Sequence, residues 1–218
     1  MNEQIVYLIR HGSPRYPVDQ LGRKLVYGPA ASLTDEGIVE SKRLAGSILQ
    51  REGAPFEILV TSPYMRAEQT AEILACVMGI DMVWKDNRLQ DTRSTWEGSL
   101  VEDFMTMFYE GKTFDDPHTL ETLEELGERM EAAYNEIMIQ SEGKRIGIVS
   151  HGDPIRALWY RLYNPQAKYP SYPTLTKMIG LDAAEGLRLR INPDGRLEPN
   201  MEILTGELAA PCRSLLQS

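Results

Sequence analysis

Two short apolar runs that lie far apart in the chain each end at the dipeptide His-Gly. Residues 5–9 lead into Arg-His-Gly, which contains His11, and residues 146–149 lead into Ser-His-Gly, which contains His151. Runs of this length, partly β-branched, are typical of buried strands. Because ligands of open α/β sheets bind beyond the carboxyl ends of the strands, we expect both imidazoles to face one crevice. His-Gly alone is a weak motif, but two of the three histidines share this context.

The rest of the chain alternates between strands and helices. Further apolar runs predict strands at residues 56–61, 81–85, 177–182 and 187–191. Apolar positions at helical spacing predict helices at about residues 35–51, 63–78, 120–140 and 153–163. Residues 169–174 read as a connection, and Asn-Pro-Asp-Gly at 192–195 as a turn. This alternation favours an α/β fold, a three-layer sandwich around a mostly parallel sheet with an antiparallel edge near the C-terminus.

Composition narrows the class of protein. With 218 residues, of which 42% are hydrophobic and 25% charged, the chain fits a single globular domain over residues 1–218. A net charge of −9 disfavours a nucleic-acid partner, whose binding surface would be basic. No apolar run approaches the roughly 20 residues that span a bilayer and no apolar leader opens the chain, so we expect a cytoplasmic protein without membrane contact. The two cysteines form no C-x-x-C and predict neither a disulfide framework nor a zinc site.

Two segments beside the expected crevice each have two interpretations. Residues 13–31, rich in Pro, Gly and Tyr, fit a long loop whose basic residues either steer an anionic substrate or are simply solvated. Residues 100–109 are mostly apolar, which is typical of core packing and only secondarily of a lid over a substrate. We assign an insertion or lid to about residues 92–120.

A predicted helix start brings an arginine toward the same crevice. Ser62-Pro63 predicts that start, since Ser caps helices well and Pro is tolerated in the first turn. Arg66 lies in the first turn, where free N–H groups and the macrodipole already attract anions. The alternative is a surface ion pair between Arg66 and Glu68 or Glu72.

These side chains form a coherent set for phosphoryl transfer. The candidate site residues are Arg10, His11, Arg66, His151, and either Asp91 or Glu97. A neutral imidazole is a good nucleophile toward phosphorus, so a phosphomonoester could be hydrolysed through a phosphohistidine. The guanidinium groups would stabilise the phosphoryl oxygens in the transition state and oppose protonation of His11. A carboxylic acid would give the leaving alkoxide its proton.

Five short motifs occur in the first three quarters of the chain. They are R-H-G at 10–12, L-T-x-x-G at 33–37, S-P-x-x-R-A-x-Q-T-A at 62–71, W-E-G at 96–98 and S-H-G-D at 150–153. Together and in this order they resemble the histidine phosphatase superfamily, in its phosphoglycerate mutase-like branch. The resemblance implies the phosphoglycerate mutase-like fold and a metal-independent enzyme without a cofactor. It further implies His11 as the phosphorylated nucleophile, Arg10 and Arg66 as phosphate ligands, and His151 as the second histidine of the pocket.

The sequence departs from the family pattern at the acid. The family usually shows L-x-E, with Glu as proton donor, and a Gly two residues before W-E-G. Here Leu-Gln-Asp at 89–91 places the shorter Asp91 at that position, and the loop to Trp96 is one residue shorter and lacks the Gly. We assign Asp91 as the donor and Glu97 as the alternative acid. Ser13 also stands where the family often has Glu or Thr.

The insertion favours a phosphatase over a mutase. The mutases carry an E-R-x-Y-G run and paired basic residues that hold a carboxylate and a second phosphate. This chain has Gln-Asp-Thr-Arg at 90–93, and between residues 101 and 128 the basic side chain is Lys112. We therefore predict a phosphomonoester hydrolase that acts on a small phosphorylated metabolite. A phosphoglycerate-type mutase is the alternative enzyme, and the sequence leaves the oligomeric state open.

Two further classes of protein are alternatives to this hydrolase. The altered acid loop also fits a weakly catalytic module that binds phosphorylated ligands. A metallohydrolase that uses His11, His118 and His151 is disfavoured, because these residues lack metal-ligand spacing. We expect His118 to be an exposed loop residue.

Overall fold

A central β-sheet organises the protein. The computed structural model describes residues 4–110, 112–114, 118–192, 196–198 and 201–205. Within these ranges one sheet has six strands: β1 (Gln4–Arg10), β2 (Ile58–Thr61), β3 (Trp84–Lys85), β4 (Arg145–Ser150), β5 (Gly186–Ile191) and β6 (Glu202–Leu204). Their order is β3-β2-β4-β1-β5-β6. The first four are parallel, whereas β5 and β6 run antiparallel to their neighbours, which confirms the predicted antiparallel edge.

Helices cover both faces of the sheet. They are α1 (Asp35–Glu52), α2 (Met65–Met78), α3 (Val101–Tyr109), α4 (Leu123–Gln140), α5 (Gly152–Tyr163) and α6 (Tyr172–Met178). Successive side chains of a strand point to opposite faces, so a strand covered on both sides is apolar throughout. In β1, Tyr7 and Ile9 belong to the core beneath α1 and α2, and Val6 and Leu8 to the core beneath α4 and α5. The three-layer α/β architecture is confirmed, and none of the helices described is long and apolar enough to cross a membrane.

The pairing of β1 with β4 positions the two His-Gly sequences. The strands are adjacent and parallel, and their register runs from Ile5 opposite Arg145 to Arg10 opposite Ser150. Both strands therefore end at the same edge of the sheet. The next residue on each is a histidine, so the topology alone makes the two imidazoles neighbours.

The first two helices begin differently from one another. Thr34 caps α1 as predicted, because its hydroxyl accepts a hydrogen bond from the N–H of Gly37 at 3.0 Å. The predicted start of α2 at Ser62-Pro63 is wrong: the helix begins at Met65, and its N-cap, Tyr64, makes no side-chain cap bond. The Ser62 hydroxyl lies 2.9 Å from His151 Nε2 instead.

The segment before β5 also differs from expectation. The predicted connection at 169–174 and strand at 177–182 are replaced by α6, a short helix with a proline in its first turn. Ile179 and Leu181 are buried as predicted for a strand, but they lie in the irregular chain that follows α6. The strand at 187–191 is confirmed as β5, and most of the predicted turn at 192–195 lies outside the described residues.

Helix α3 is not part of the core. Residues 100–109 were expected to pack in the interior, yet none of the α3 residues is buried. The core interpretation is therefore wrong, because the apolar side of this helix faces a cavity rather than the sheet. The assignment of a lid to residues 92–120 stays a prediction.

Candidate active site

The carboxyl ends of β1 and β4 place the two histidines side by side. The ring centroids of His11 and His151 are 5.1 Å apart, edge to face, and both side chains are fully buried. The N–H of His11 donates to the carbonyl of Ser150 at 3.1 Å, which extends the β1–β4 ladder by one bond. The backbone of the sheet therefore fixes the distance between the imidazoles.

The hydrogen bonds of His11 define its tautomer. Nδ1 lies 2.8 Å from the carbonyl oxygen of Gly12, which can only accept, so Nδ1 carries the proton. Nε2 accepts a hydrogen bond from Arg66 Nε at 3.1 Å and therefore presents a lone pair. Burial, together with His151 and the two arginines, lowers the pKa of His11 well below its ordinary value. The ring is therefore neutral, and the nitrogen that carries the lone pair, Nε2, is the one that contacts Arg66.

Arg66 is a buried residue of the first turn of α2. Its Nη1 donates to the carbonyl of Gly28 at 3.1 Å and its Nη2 to Asp91 Oδ2 at 2.7 Å. The guanidinium carbon also lies 4.7 Å from the ring centroid of Tyr27 and 5.2 Å from that of Tyr64. The alternative of a surface ion pair with Glu68 or Glu72 is therefore wrong. Two aromatic rings and three hydrogen bonds hold the Arg66 guanidinium in one orientation.

Arg10 and His151 each keep a buried nitrogen without a partner among the described residues. Arg10 Nη1 donates to the carbonyl of Leu181 at 2.6 Å, but its Nε is unpaired. His151 Nε2 pairs with the Ser62 hydroxyl, while Nδ1 lies 3.5 Å from Asp91 Oδ2 without a hydrogen bond. Burial, reinforced by nearby arginines, lowers the pKa of His151 well below its ordinary value. Unpaired buried groups of this kind are costly. Arg10 lines the same cavity as His11, and His151 packs edge to face against the His11 ring.

The two candidate acids occupy different places. Asp91 touches both Arg66 and His151, in the middle of the buried cationic group. Glu97 lines the same cavity, but it is exposed and packs against the backbone of Gly28. A Cβ atom on Gly28 would sit 2.0 Å from the Glu97 carboxylate, so a larger residue there would displace the exposed Glu97 side chain. Of the two acids, Asp91 is the one that contacts Arg66 and His151.

Arg129 on α4 forms a buried ion pair with Glu121, which precedes that helix, and it also binds the backbone of the Asp91 loop. Arg129 Nη1 donates to the carbonyls of Arg88 and Gln90, at 2.6 and 2.9 Å. Its Nη2 contacts the carbonyl of Asp91 at 3.3 Å and the carboxylate of Glu121 at 2.6 Å. Sequence reasoning missed this residue, since α4 with its many glutamates reads as a solvated surface. The available signal is that Arg129 is the single basic residue of that helix.

A cavity of about 460 Å³ is lined by His11, Asp91, Arg10 and Arg66, which together form its cationic end. The remaining wall is mostly apolar and aromatic. It includes Tyr16, Val26, Tyr27, Tyr64, Val101, Phe104, Met105, Phe108 and Tyr172. The cavity thus joins a compact cationic end to an apolar chamber.

Asp153 is a further acid of the cavity that the sequence marked only as a helix start. Its Oδ1 accepts hydrogen bonds from the Tyr172 hydroxyl at 2.5 Å and from Arg156 Nη1 at 3.1 Å. Burial raises the pKa of Asp153, and Arg156 partly offsets that shift. Its position two residues after His151 is the signal that could have identified it.

His118 lies apart from the histidine pair. It is exposed, as expected, with Nδ1 2.8 Å from the Thr95 hydroxyl and its ring 4.9 Å from that of Trp96. Across the part of the chain that the structure describes, no three His, Cys, Asp or Glu side chains gather as a metal-binding group.

The site and the fold define a class of protein. A family model described as the histidine phosphatase superfamily (branch 1) matches residues 6–178, and the chain belongs to that superfamily. Among curated proteins, the 2,3-bisphosphoglycerate-dependent phosphoglycerate mutase of Xanthobacter autotrophicus is 33% identical over 79 residues, which is 36% of each chain. The chain therefore spans little more than a third of the length of the first curated relatives that it matches.

Solved structures share the architecture. A mutant phosphoserine phosphatase from Entamoeba histolytica, in complex with phosphoserine, has a TM-score of 0.67 at 21% identity, over 91% of this chain and 96% of that one. A phosphoglycerate mutase from Bacillus anthracis has a TM-score of 0.68 at 16% identity, over 95% and 94%. At these identities the likeness shows the fold, and it confirms the predicted phosphoglycerate mutase-like architecture.

Proposed function

We propose that the protein is a phosphomonoester hydrolase that works through a phosphohistidine on His11. The observation that carries this proposal is the pair of hydrogen bonds on that ring. The bond to the Gly12 carbonyl keeps the proton on Nδ1, and the lone pair on Nε2 faces Arg66 at the cationic end of the cavity. A neutral imidazole in that tautomer is ready to attack phosphorus.

The cationic end supplies the electrostatic part of the reaction. In the first displacement His11 Nε2 forms a bond to phosphorus while the ester P–O bond breaks and its electron pair leaves with the alkoxide. Charge on the three equatorial oxygens is then stabilised by Arg66 and by the unpaired donor of Arg10. His151, also neutral, can turn an N–H toward the same oxygens. Before the attack, the incoming phosphate must draw Arg66 away from His11 Nε2 and from Asp91, which frees the lone pair of the nucleophile.

Asp91 is the proposed proton donor. Without substrate, its carboxylate pairs with Arg66 Nη2 at 2.7 Å. A bound phosphate dianion takes over that arginine, and the added negative charge beside Asp91 favours its protonated form. Asp91 then protonates the leaving oxygen. In the second displacement its carboxylate accepts a proton from the water that breaks the P–N bond, which restores neutral His11 and protonated Asp91. When phosphate leaves, Asp91 releases that proton to solvent and its carboxylate pairs with Arg66 again.

The charges of the cavity favour a phosphatase over a mutase. A phosphoglycerate mutase must hold a carboxylate and a second phosphate in addition to the transferred group. The cationic side chains among the described lining residues are Arg10, Arg66 and Arg156. Arg156 is already bonded to Asp153 and to the carbonyls of Ile179 and Leu181. The matched mutase sequence makes a mutase the second candidate.

One set of assays tests the proposal. The purified protein is expected to hydrolyse p-nitrophenyl phosphate, and rapid quenching should trap acid-labile phosphate on the peptide that contains His11. His11→Ala should abolish both signals. Equal hydrolysis rates for the variant and the wild type would overturn the nucleophile. Conversion of 3-phosphoglycerate to 2-phosphoglycerate with added bisphosphoglycerate, faster than hydrolysis, would establish the mutase instead.

A further inference from the structure

We infer that the leaving group of the substrate is an uncharged alcohol with an apolar, ring-sized body, bound between α3 and the loop at residues 16–29. The inference rests on the proposed hydrolase and names the substrate class of the same site. It follows from three independent properties of the chamber beyond the phosphate end: its charges, its apolar wall and its unpaired hydroxyls.

The chamber has no cation available for a second anionic group among the described lining residues. Outside the phosphate end, its charged members are Glu97, Asp153 and Arg156. The guanidinium of Arg156 donates from all three nitrogens to protein acceptors, and Lys24, above the Tyr16 ring at 5.3 Å, is exposed and not part of the lining. A carboxylate or second phosphate on the leaving group would therefore face two acidic residues and a single cation, Arg156, whose charge is already paired with Asp153. Such like-charge contacts exclude a ligand effectively.

The apolar wall is a continuous stripe on one side of a helix. Val101, Phe104, Met105 and Phe108 recur at helical spacing and all line the cavity. None of them is buried in the fold, although an apolar stripe on a helix is ordinarily covered. Tyr16, Val26 and Tyr27, from the loop at residues 16–29, line the same cavity. A ligand with an apolar body would cover both groups of side chains at once.

The wall also selects for a ring. Phe108 packs edge to face against Tyr172, with ring centroids 5.3 Å apart, and Phe104 packs in the same way against Trp96 at 5.8 Å. These contacts hold the two phenylalanine rings in fixed orientations beside the chamber. Because these two side chains are already ordered, a ring of the ligand can stack on them with little further loss of side-chain entropy.

Two threonine hydroxyls behind the cavity wall lack a partner within the described part of the chain, and rotation about χ1 would bring either of them to a neutral polar atom of the ligand. Thr92 Oγ1 and Thr113 Oγ1 are buried at the cavity wall and have no hydrogen-bond partner among the described residues. A hydroxyl can donate to a neutral oxygen without a counter-charge. The alcohol can therefore carry a hydroxyl, ether or carbonyl oxygen, but not an ionised group.

The test compares phosphate esters whose alcohols are similarly poor leaving groups, so that differences in rate reflect binding of the alcohol. The full-length wild-type protein is assayed with ethyl phosphate, 2-phenylethyl phosphate, O-phosphoserine and 3-phosphoglycerate. We expect kcat/KM for 2-phenylethyl phosphate to exceed each of the others by about tenfold or more, because burial of a ring is favourable and an unpaired carboxylate is rejected. A kcat/KM for O-phosphoserine or 3-phosphoglycerate equal to or above that for 2-phenylethyl phosphate would overturn the inference.

Variants of α3 test whether the preference for a ring arises from the apolar side of this helix. Phe108→Ala should raise KM for 2-phenylethyl phosphate about tenfold and should lower kcat/KM for ethyl phosphate several times less, because the ethyl group buries little surface on the ring. Thr106→Ala, on the exposed side of the same helix, is the matched control and should change neither. Met105→Arg adds a cation to the lining without removing a ring, and should increase kcat/KM for 3-phosphoglycerate. Equal losses on both substrates in Phe108→Ala, with no gain in Met105→Arg, would contradict the assigned wall.

Phosphoenzyme formation separates the two proposals. If no substrate labels His11, the proposed hydrolase fails. If every substrate labels His11 at the same rate, the hydrolase stands and only the assigned leaving group fails.

Discussion

Arg66 and His11 are joined by a hydrogen bond in which the guanidinium Nε–H donates to His11 Nε2 across 3.1 Å. A donor at that atom requires a lone pair on it, and the proton is retained at Nδ1 by the Gly12 carbonyl. In the proposed reaction this guanidinium turns from His11 Nε2 to the phosphoryl oxygens, whose charge it stabilises. One side chain therefore keeps the proposed nucleophile unprotonated and stabilises the charge that its attack creates.

The two buried imidazoles predict a loss of stability in acid. Burial lowers the pKa of His11 and of His151 well below the ordinary 6.5, so the unfolded chain binds these protons at a higher pH than the folded protein does. Their contribution is complete above about pH 6.5 and is lost progressively as the pH falls toward the folded-state values. The melting temperature should therefore fall between about pH 7.5 and about pH 5.5. His11→Gln and His151→Gln should each show a smaller fall, and an unchanged fall in both variants would contradict the assignment.

Replacement of Asp91 should affect substrates according to their leaving groups. Asp91→Asn cannot donate a proton, so kcat for 2-phenylethyl phosphate should drop by about 10²- to 10⁴-fold. The same variant should lose much less activity on p-nitrophenyl phosphate, because p-nitrophenolate leaves without protonation. Steady-state rates on the two substrates measure the difference.

Glu97→Gln is the matched control for that experiment. Glu97 lines the same cavity but is exposed, so its amide should leave the ratio of the two rates near that of the wild type. The opposite pattern, with the leaving-group effect in Glu97→Gln and none in Asp91→Asn, would make Glu97 the donor.

Much of the fold and the core of the site could be predicted because they depend on local signals. The apolar runs before His11 and His151 identify two parallel strands, and the adjacency of the imidazoles follows from their pairing. Thr34 marks the start of α1 through a side-chain bond within its own turn. The strands and the cap need no knowledge of distant residues, whereas the pairing of β1 with β4 joins segments far apart in the chain and rests on the general rule for the edges of parallel sheets.

The features that were missed depend on distant parts of the chain. An apolar stripe such as that of α3 reads the same whether it packs in a core or lines a cavity, since both surfaces are apolar. Ile179 and Leu181 are buried by packing, without a strand, so hydrophobicity alone suggested the wrong element. Ser62 reads as a helix cap until the fold brings His151 beside it, 89 positions away.

Arg66→Lys should show that the geometry of the guanidinium matters more than its charge. A lysine ammonium cannot reach His11, the Gly28 carbonyl and Asp91 in the fixed pattern that the three nitrogens of Arg66 make. We expect kcat to fall by about 10²- to 10³-fold, with weaker inhibition by inorganic phosphate. Arg161→Lys, at a surface pair with Glu131 outside the cavity, should leave both quantities unchanged. Unaltered phosphate inhibition in Arg66→Lys would remove this residue from the phosphate site.

Arg129 should behave as a positioning residue that acts through Asp91. It holds the carbonyls of residues 88, 90 and 91 while its charge is balanced by Glu121, and both side chains are nearly buried, at 9% and 4% exposed. Arg129→Met should destabilise the protein by about 3–5 kcal/mol, because Glu121 is left buried without a counter-ion. The double variant Arg129→Met with Glu121→Leu removes both charges and should recover most of that stability.

Activity then distinguishes positioning from packing. In the stable double variant the Asp91 loop still lacks its donors, so kcat for 2-phenylethyl phosphate should stay at least about tenfold below wild type while p-nitrophenyl phosphate is hydrolysed at a nearly normal rate. A purely structural role would lower both rates equally or restore both together with stability. Denaturant unfolding and the ratio of the two kcat values, measured on the same preparations, separate these outcomes. The selective loss is expected because the carbonyl of Asp91 itself is held by Arg129, so the residue that must deliver the proton is the one whose backbone is released.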